Sequence, residues 1–248
     1  DLEDIDIVIK ENIYDVDENI LKYNLELIDE IKSHILNKEF LEILSNPVTE
    51  IKDKNNNKKF FIIKKLYDIG EIQKAYNLIR EIDFDLLSNE EFLINLKTIE
   101  LNYLLSTYKL SDVCELKSVL VNESLELPNF LLEKTDIFCL TIENKLAEAK
   151  LLNSLLLDKE QTTDVFFQEL LNHTISENKE AVYFEKINSL QSKDLIFLYS
   201  AMLRINELPL TEKFIDIDPL NLSIPVILSD STSMNIRIKA VNKSFYNN

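Results

Sequence analysis

The chain has 248 residues, a formal net charge of −17, 46% hydrophobic residues and one glycine, Gly70. One glycine cannot supply the positive-φ positions that hairpin turns, bulges and close backbone–ligand approaches need, which excludes β-rich and α/β folds. It equally excludes phosphate-cradling glycine loops, dinucleotide fingerprints and nucleophile elbows, while the acidic surface disfavours nucleic acid and anionic membrane surfaces as partners.

The fold class expected is all-α. Residues 1–16 place Leu2, Ile5, Ile7 and Ile9 among acids, the alternation of an extended acidic arm. Residues 17–248 read as a single helical-repeat domain in three parts. In the N-terminal part, 17–47, Leu21, Leu25, Ile28, Ile31, Ile35 and Phe40 keep helical spacing, which predicts one long helix or two with a bend, ended by Pro47. Residues 48–59, VTEIKDKNNNKK, are polar and read as a mobile loop.

The repeat core, 60–160, turns at three anchors, Gly70, Tyr108 and Asn144, which lie 38 and 36 residues apart. Seven residues before each anchor stand Ile63, Leu101 and Ile137, and four before stand Leu66, Leu104 and Leu140. Two after come Ile72, Leu110 and Leu146, five after come Ala75, Val113 and Ala149, and twelve after come Ile82, Leu120 and Leu156. One apolar face on a first helix, a turn, and its continuation on a second helix, repeated with a period in the mid-thirties, predicts an α-solenoid of stacked antiparallel hairpins. The third part, 163–248, continues as irregular helices at Val165–His173, Val182–Ile187 and Asp194–Leu203. Short helices punctuated by Pro209, Pro219 and Pro225 follow, with a last helix from Thr232 to Phe245. No apolar run reaches the length needed to span a bilayer.

The segment Leu66-Tyr67-Asp68-Ile69-Gly70-Glu71-Ile72-Gln73-Lys74-Ala75 resembles the middle of a tetratricopeptide repeat, where a Gly-x-apolar-x-x-Ala run joins two helices. Only this copy has both the glycine and the alanine. Two further segments resemble an uncharacterised family of alphaproteobacterial helical-repeat proteins. They are Asp136-Ile137-Phe138-Cys139 followed by Leu146-Ala147-Glu148-Ala149, and Leu198-Tyr199-Ser200-Ala201-Met202-Leu203 through Leu208-Pro209-Leu210. Members of that family are Ala- and Gly-rich, and this chain is neither. The resemblance implies a helical fold and export to the periplasm rather than retention in the cytoplasm, and it supplies no activity.

Cys114 and Cys139 are the two cysteines. They fall on the second helix of one hairpin and the first helix of the next, so two readings stand: buried thiols packed as small apolar residues, or a disulfide between neighbouring helices. The family resemblance matches cysteines at both places, which fits an oxidising compartment. His34 follows Glu30, and His173 follows Glu169, at the i,i+4 spacing of surface pairs rather than the Glu-x-x-His of di-metal bundles, so no metal and no cofactor is expected. The lysines Lys52, Lys54, Lys58, Lys59, Lys64 and Lys65 form a basic cluster that reads as a solvated loop, or as a dock for an acidic partner or for an acidic face of the same protein. Tyr67, Tyr103, Tyr108 and Phe130 are candidate interface aromatics that helical register also allows in the core. No carboxylate pair is singled out for acid–base work. The expectation is a non-enzymatic helical-repeat module that binds a protein or peptide, against two alternatives: an enzyme on an α-superhelical scaffold, such as one acting on cell-wall glycans, or a structural segment of a larger assembly.

Overall fold

A computed structural model describes residues 16–28, 34–45, 56–87, 89–176, 193–217 and 221–246, and every regular element among these residues is helical. The chain divides into two compact units, one up to Ile99 and one from Glu100 to Tyr246.

The first unit holds α1 (Glu18–Leu27), α2 (His34–Ser45), α3 (Asn57–Asp68), α4 (Ile72–Ile79), a 3-10 turn (Phe84–Leu86) and the start of α5 (Glu90–Ser106). Asp17 caps α1, its Oδ1 accepting the Asn19 N–H at 2.9 Å, which satisfies a donor the helix cannot. Ile28 then turns extended, with φ −86° and ψ 96°. The stretch from Asp17 to Leu44 is therefore two helices. Both α1 and α4 pack on α3, and the core joins Leu21 and Leu25, Leu44, Phe60, Ile63 and Leu66, and Leu78.

The loop expected over 48–59 ends sooner than its composition implied. Helix α3 begins at Asn57, so Lys58 and Lys59 lie in its first turn. Two asparagines explain this: Asn56 takes φ 56° and donates from Nδ2 to the Asp83 carbonyl at 3.0 Å, and Asn57 donates from Nδ2 to Glu18 Oε1 at 2.9 Å. Tertiary bonds thus anchor residues that read locally as loop formers. Residues 48–55 and the acidic arm up to Asp15 lie outside the described residues. So does the helix expected at Val182–Ile187, and so does Pro219.

The three sequence anchors close their helices in one way. At the first, Gly70 donates to the Tyr67 carbonyl at 3.1 Å and Glu71 to the Leu66 carbonyl at 2.8 Å. At the second, Tyr108 donates to Leu105 at 3.1 Å and Lys109 to Leu104 at 3.0 Å; at the third, Asn144 donates to Thr141 at 3.1 Å and Lys145 to Leu140 at 2.8 Å. This paired bonding around one left-handed residue is the Schellman closure, and the left-handed residue is the anchor each time, with φ 87°, 59° and 60°. Of the fifteen apolar positions in the repeat register, all are buried except Leu110 and Leu146, which are half-buried. Only at Gly70 does the residue type relieve the left-handed penalty entirely. Gly70→Ala is expected to cost about 1–2 kcal/mol, read as a lowered urea midpoint at unchanged slope.

The second unit holds α6 (Leu110–Asn122), a 3-10 turn (Pro128–Phe130), α7 (Leu131–Ile142), α8 (Leu146–Lys159), α9 (Val165–Ile175), a 3-10 turn (Lys193–Leu195), α10 (Ile196–Ile205), α11 (Glu212–Ile217), α12 (Ser223–Ile227) and α13 (Met234–Tyr246). Helix α7 packs against α6, α8, α9 and α10. Residues Ile196–Leu203 of α10 are buried without interruption, as expected of a helix apolar on every side. Pro225 sits inside α12 rather than between helices. Its position in the first turn, where backbone donors have no intrahelical partner, makes the missing N–H harmless.

Candidate functional site

Helices α6, α7 and α8 run back and forth, so the end of α6, the start of α7 and the end of α8 meet at one end of the second unit. There they enclose an apolar groove of about 490 Å³ floored by Leu125, Leu132, Leu152, Leu155 and Leu156. Glu126, Glu133, Asp136 and Asp158 stand around it, with Lys159 as the groove's one lining lysine. Asp136 is neutralised by Lys117 at 2.8 Å. Helix α8 has two apolar faces. Ala149 and Leu156 point into the core at 0% and 2% exposure, whereas Leu151 and Leu155, one turn apart on an adjacent face, are 61% and 50% exposed. Val121 at the end of α6 adds another exposed apolar side chain.

The α6–α7 wall of this groove is cross-linked. Cys114 and Cys139 form a disulfide across a sequence separation of 25. One turn along each helix, Lys117 and Asp136 form the ion pair already described, with side chains 11% and 18% exposed. The antiparallel register that pairs 114 with 139 also pairs 117 with 136.

A buried charge cluster lies behind the groove. Lys134 on α7 is 2% exposed, and its ammonium donates to Glu160 Oε1 and Asp164 Oδ2, both at 2.8 Å. Glu160 Oε2 accepts the Asp164 N–H at 3.4 Å, Asp164 Oδ1 accepts the Phe167 N–H at 3.1 Å to cap α9, and the Tyr199 hydroxyl donates to Asp164 Oδ2. Every carboxylate oxygen of the cluster therefore accepts an internal bond. Sequence reading passed over it. The available signal was Lys134 itself, which lies three residues after Leu131 and four before Phe138, on the apolar face of α7.

Burial, then the neighbouring Asp164 charge, the hydrogen bond to it, and Glu160 push the Tyr199 phenol far above its ordinary 10.0. The phenol is neutral in both states below pH 10, so its contribution to stability is fully present there. Above pH 10 the unfolded chain releases this proton and the folded chain keeps it. Stability then falls with pH by about 1.4 kcal/mol per unit from this group. Tyr199→Phe is expected to cost about 1–3 kcal/mol at neutral pH through loss of a hydrogen bond to a charged acceptor. The gap between wild type and variant in urea melts should narrow above pH 10; a constant gap would show that the phenol titrates normally.

The sequence-nominated residues are scattered. Tyr103 is core, 4% exposed, with the Lys109 ammonium 5.3 Å from its ring centroid. Tyr108 is half-buried under the Arg204 guanidinium, 4.2 Å from the ring centroid, and burial raises its phenol despite that cation. Tyr67 and Phe130 are half-buried, the latter left-handed at φ 58° ahead of α7. Lys58 and Lys59 lie on the first unit, where Lys59 donates to the Glu81 carbonyl at 3.2 Å. Lys64 is exposed and Lys65 is 8% exposed, donating to the Ile28 carbonyl; Lys52 and Lys54 lie outside the described residues. None of these residues lines the groove.

His173 is buried at 7% exposure, its Nδ1 3.2 Å from Asn206 Oδ1, in a contact that pins α9 to α10. Glu30 lies outside the described residues, and among the described residues no His, Cys, Asp and Glu side chains gather in a metal-binding group. No described helix is long and apolar enough to cross a membrane. The first unit carries a larger pocket of about 620 Å³ against the Phe60, Phe61 and Phe92 rings, lined by charges of both signs, including Lys22, Lys64, Glu26 and Asp68. No family model, no curated protein and no solved structure matches the chain.

Proposed function

We propose that the chain is a non-enzymatic helical-repeat module of the solenoid, tetratricopeptide-like kind that binds a protein or peptide. The observation that carries this reading is the exposed Leu151–Leu155 face of α8 beside the groove, a second apolar stripe on a helix whose first stripe is already in the core. Apolar stripes of this kind on polar-rimmed surfaces mark interaction sites. Three helix–turn–helix units closed by the same bonds at intervals of 38 and 36 residues support the repeat character. The Cys114–Cys139 bond supports the periplasmic setting that the family resemblance implies, because disulfides persist where the compartment is oxidising.

The enzyme reading asks for a desolvated carboxylate facing a cleft. Glu160 and Asp164 are desolvated, but they face Lys134 and Tyr199 and serve the fold. The test is co-purification from native extract of wild type and a Leu151→Glu/Leu155→Glu variant, read by mass spectrometry. A stoichiometric partner held by wild type and lost by the variant is expected. Equal retention, or no stoichiometric partner, would overturn the assignment of this face.

A further inference from the structure

We infer that the groove between α6, α7 and α8 takes a basic amphipathic helix from a partner protein, an inference that rests on the interaction-module reading and names its partner's chemistry. The floor is leucine, and the exposed pair Leu151 and Leu155 runs along the α8 axis at the i,i+4 step. A helix laid along such a strip meets it with its own apolar side chains at matching intervals, the helix-in-groove mode of recognition. A volume of about 490 Å³ lies within the range of ligand-sized concavities and suits a few inserted side chains rather than a whole folded surface.

Charge decides which helix. Glu126, Glu133 and Asp158 have no ion-pair partner among the described residues, and Asp136 is held by Lys117. Three carboxylates therefore stand free around the apolar floor against Lys159. A chain of net charge −17 adds a long-range field of the same sign. Such a rim steers cationic segments in and repels acidic ones, and discriminates more than it adds raw affinity. The occupant is thus a helix with leucine or isoleucine at i, i+4 and i+7, flanked by lysine or arginine.

The experiment titrates the full chain into two fluorescein-labelled 16-residue helical peptides, read by polarisation. Both peptides carry leucine at i, i+4 and i+7; one has lysine and the other glutamate at the flanking positions. The lysine peptide is expected to bind at least about tenfold tighter, with affinity falling as salt screens the rim. Leu155→Glu, at a side chain already half in water, should abolish binding while leaving the urea midpoint unchanged. Glu126→Gln/Glu133→Gln should remove the preference for lysine while leaving binding of the leucine face. If the glutamate peptide binds as well or better, and Leu155→Glu abolishes that binding, the partner chemistry is wrong and the docking face stands. If both peptides bind equally to wild type and Leu155→Glu, or neither binds, the groove is not a helix dock and the inference fails. Concentration-dependent dimerisation of the chain that Leu155→Glu abolishes would instead assign the face to a second copy and overturn the inference.

Discussion

Replacing Lys134 with methionine is expected to remove about 3–5 kcal/mol of stability, the cost of leaving buried charges without their counterion. In the folded chain the ammonium separates Glu160 from Asp164, with both contacts at 2.8 Å and side-chain exposures of 3% for Lys134, 3% for Glu160 and 13% for Asp164. Methionine fills similar space, so packing changes little, but two carboxylates are left facing each other in a low dielectric. A loss of this size is a large share of the roughly 5–15 kcal/mol that holds a domain folded. Urea unfolding followed by circular dichroism should show a much lower midpoint at unchanged slope. The triple variant Lys134→Met/Glu160→Gln/Asp164→Asn should regain most of the loss, because it removes the charges together. A cost below about 1 kcal/mol for Lys134→Met would mean that water reaches the cluster and screens it, as at a surface pair.

Opening the Cys114–Cys139 bond, by reductant or by the Cys114→Ser/Cys139→Ser variant, is expected to cost about 3 kcal/mol for a closed loop of this size in the chain-entropy model. For a chain of this length that corresponds to a fall in Tm of roughly 6–12 °C. The loss arises in the unfolded state, where α6 and α7 are no longer tethered. The Lys117–Asp136 pair one turn away holds the native register meanwhile, so secondary structure at neutral pH should be unchanged. Alkylation of the native, unreduced protein with iodoacetamide, read by mass, should modify neither cysteine; modification of both, or an unshifted Tm on reduction, would remove the bond from the description.

The hairpin framework was legible because it is local. A Schellman closure needs one left-handed residue and apolar neighbours at fixed offsets, so Gly70, Tyr108 and Asn144 announced themselves by spacing, although one of the three, Tyr108, is a residue that positive φ does not favour. The boundary at Asn57 was misjudged because the bonds that extend α3 to Asn57 come from Glu18 and Asp83, far away in sequence. Helical register places an aromatic on a face without saying what covers that face. Tyr103 shows this: its register is that of the apolar face, and the core claims it.

By itself, then, the chain of residues determined the all-helical class, through its near-absence of glycine, and the places where helices turn. The tertiary structure alone decided which charges are buried and which leucines are bare. Lys134, Glu160, Asp164 and Tyr199 come from two helices, α7 and α10, and the connection between α8 and α9, and Leu151 differs from Leu156 only in which neighbour lies opposite. Burial is a property of what packs across from a side chain. Period and propensity describe one helix at a time and cannot carry that information.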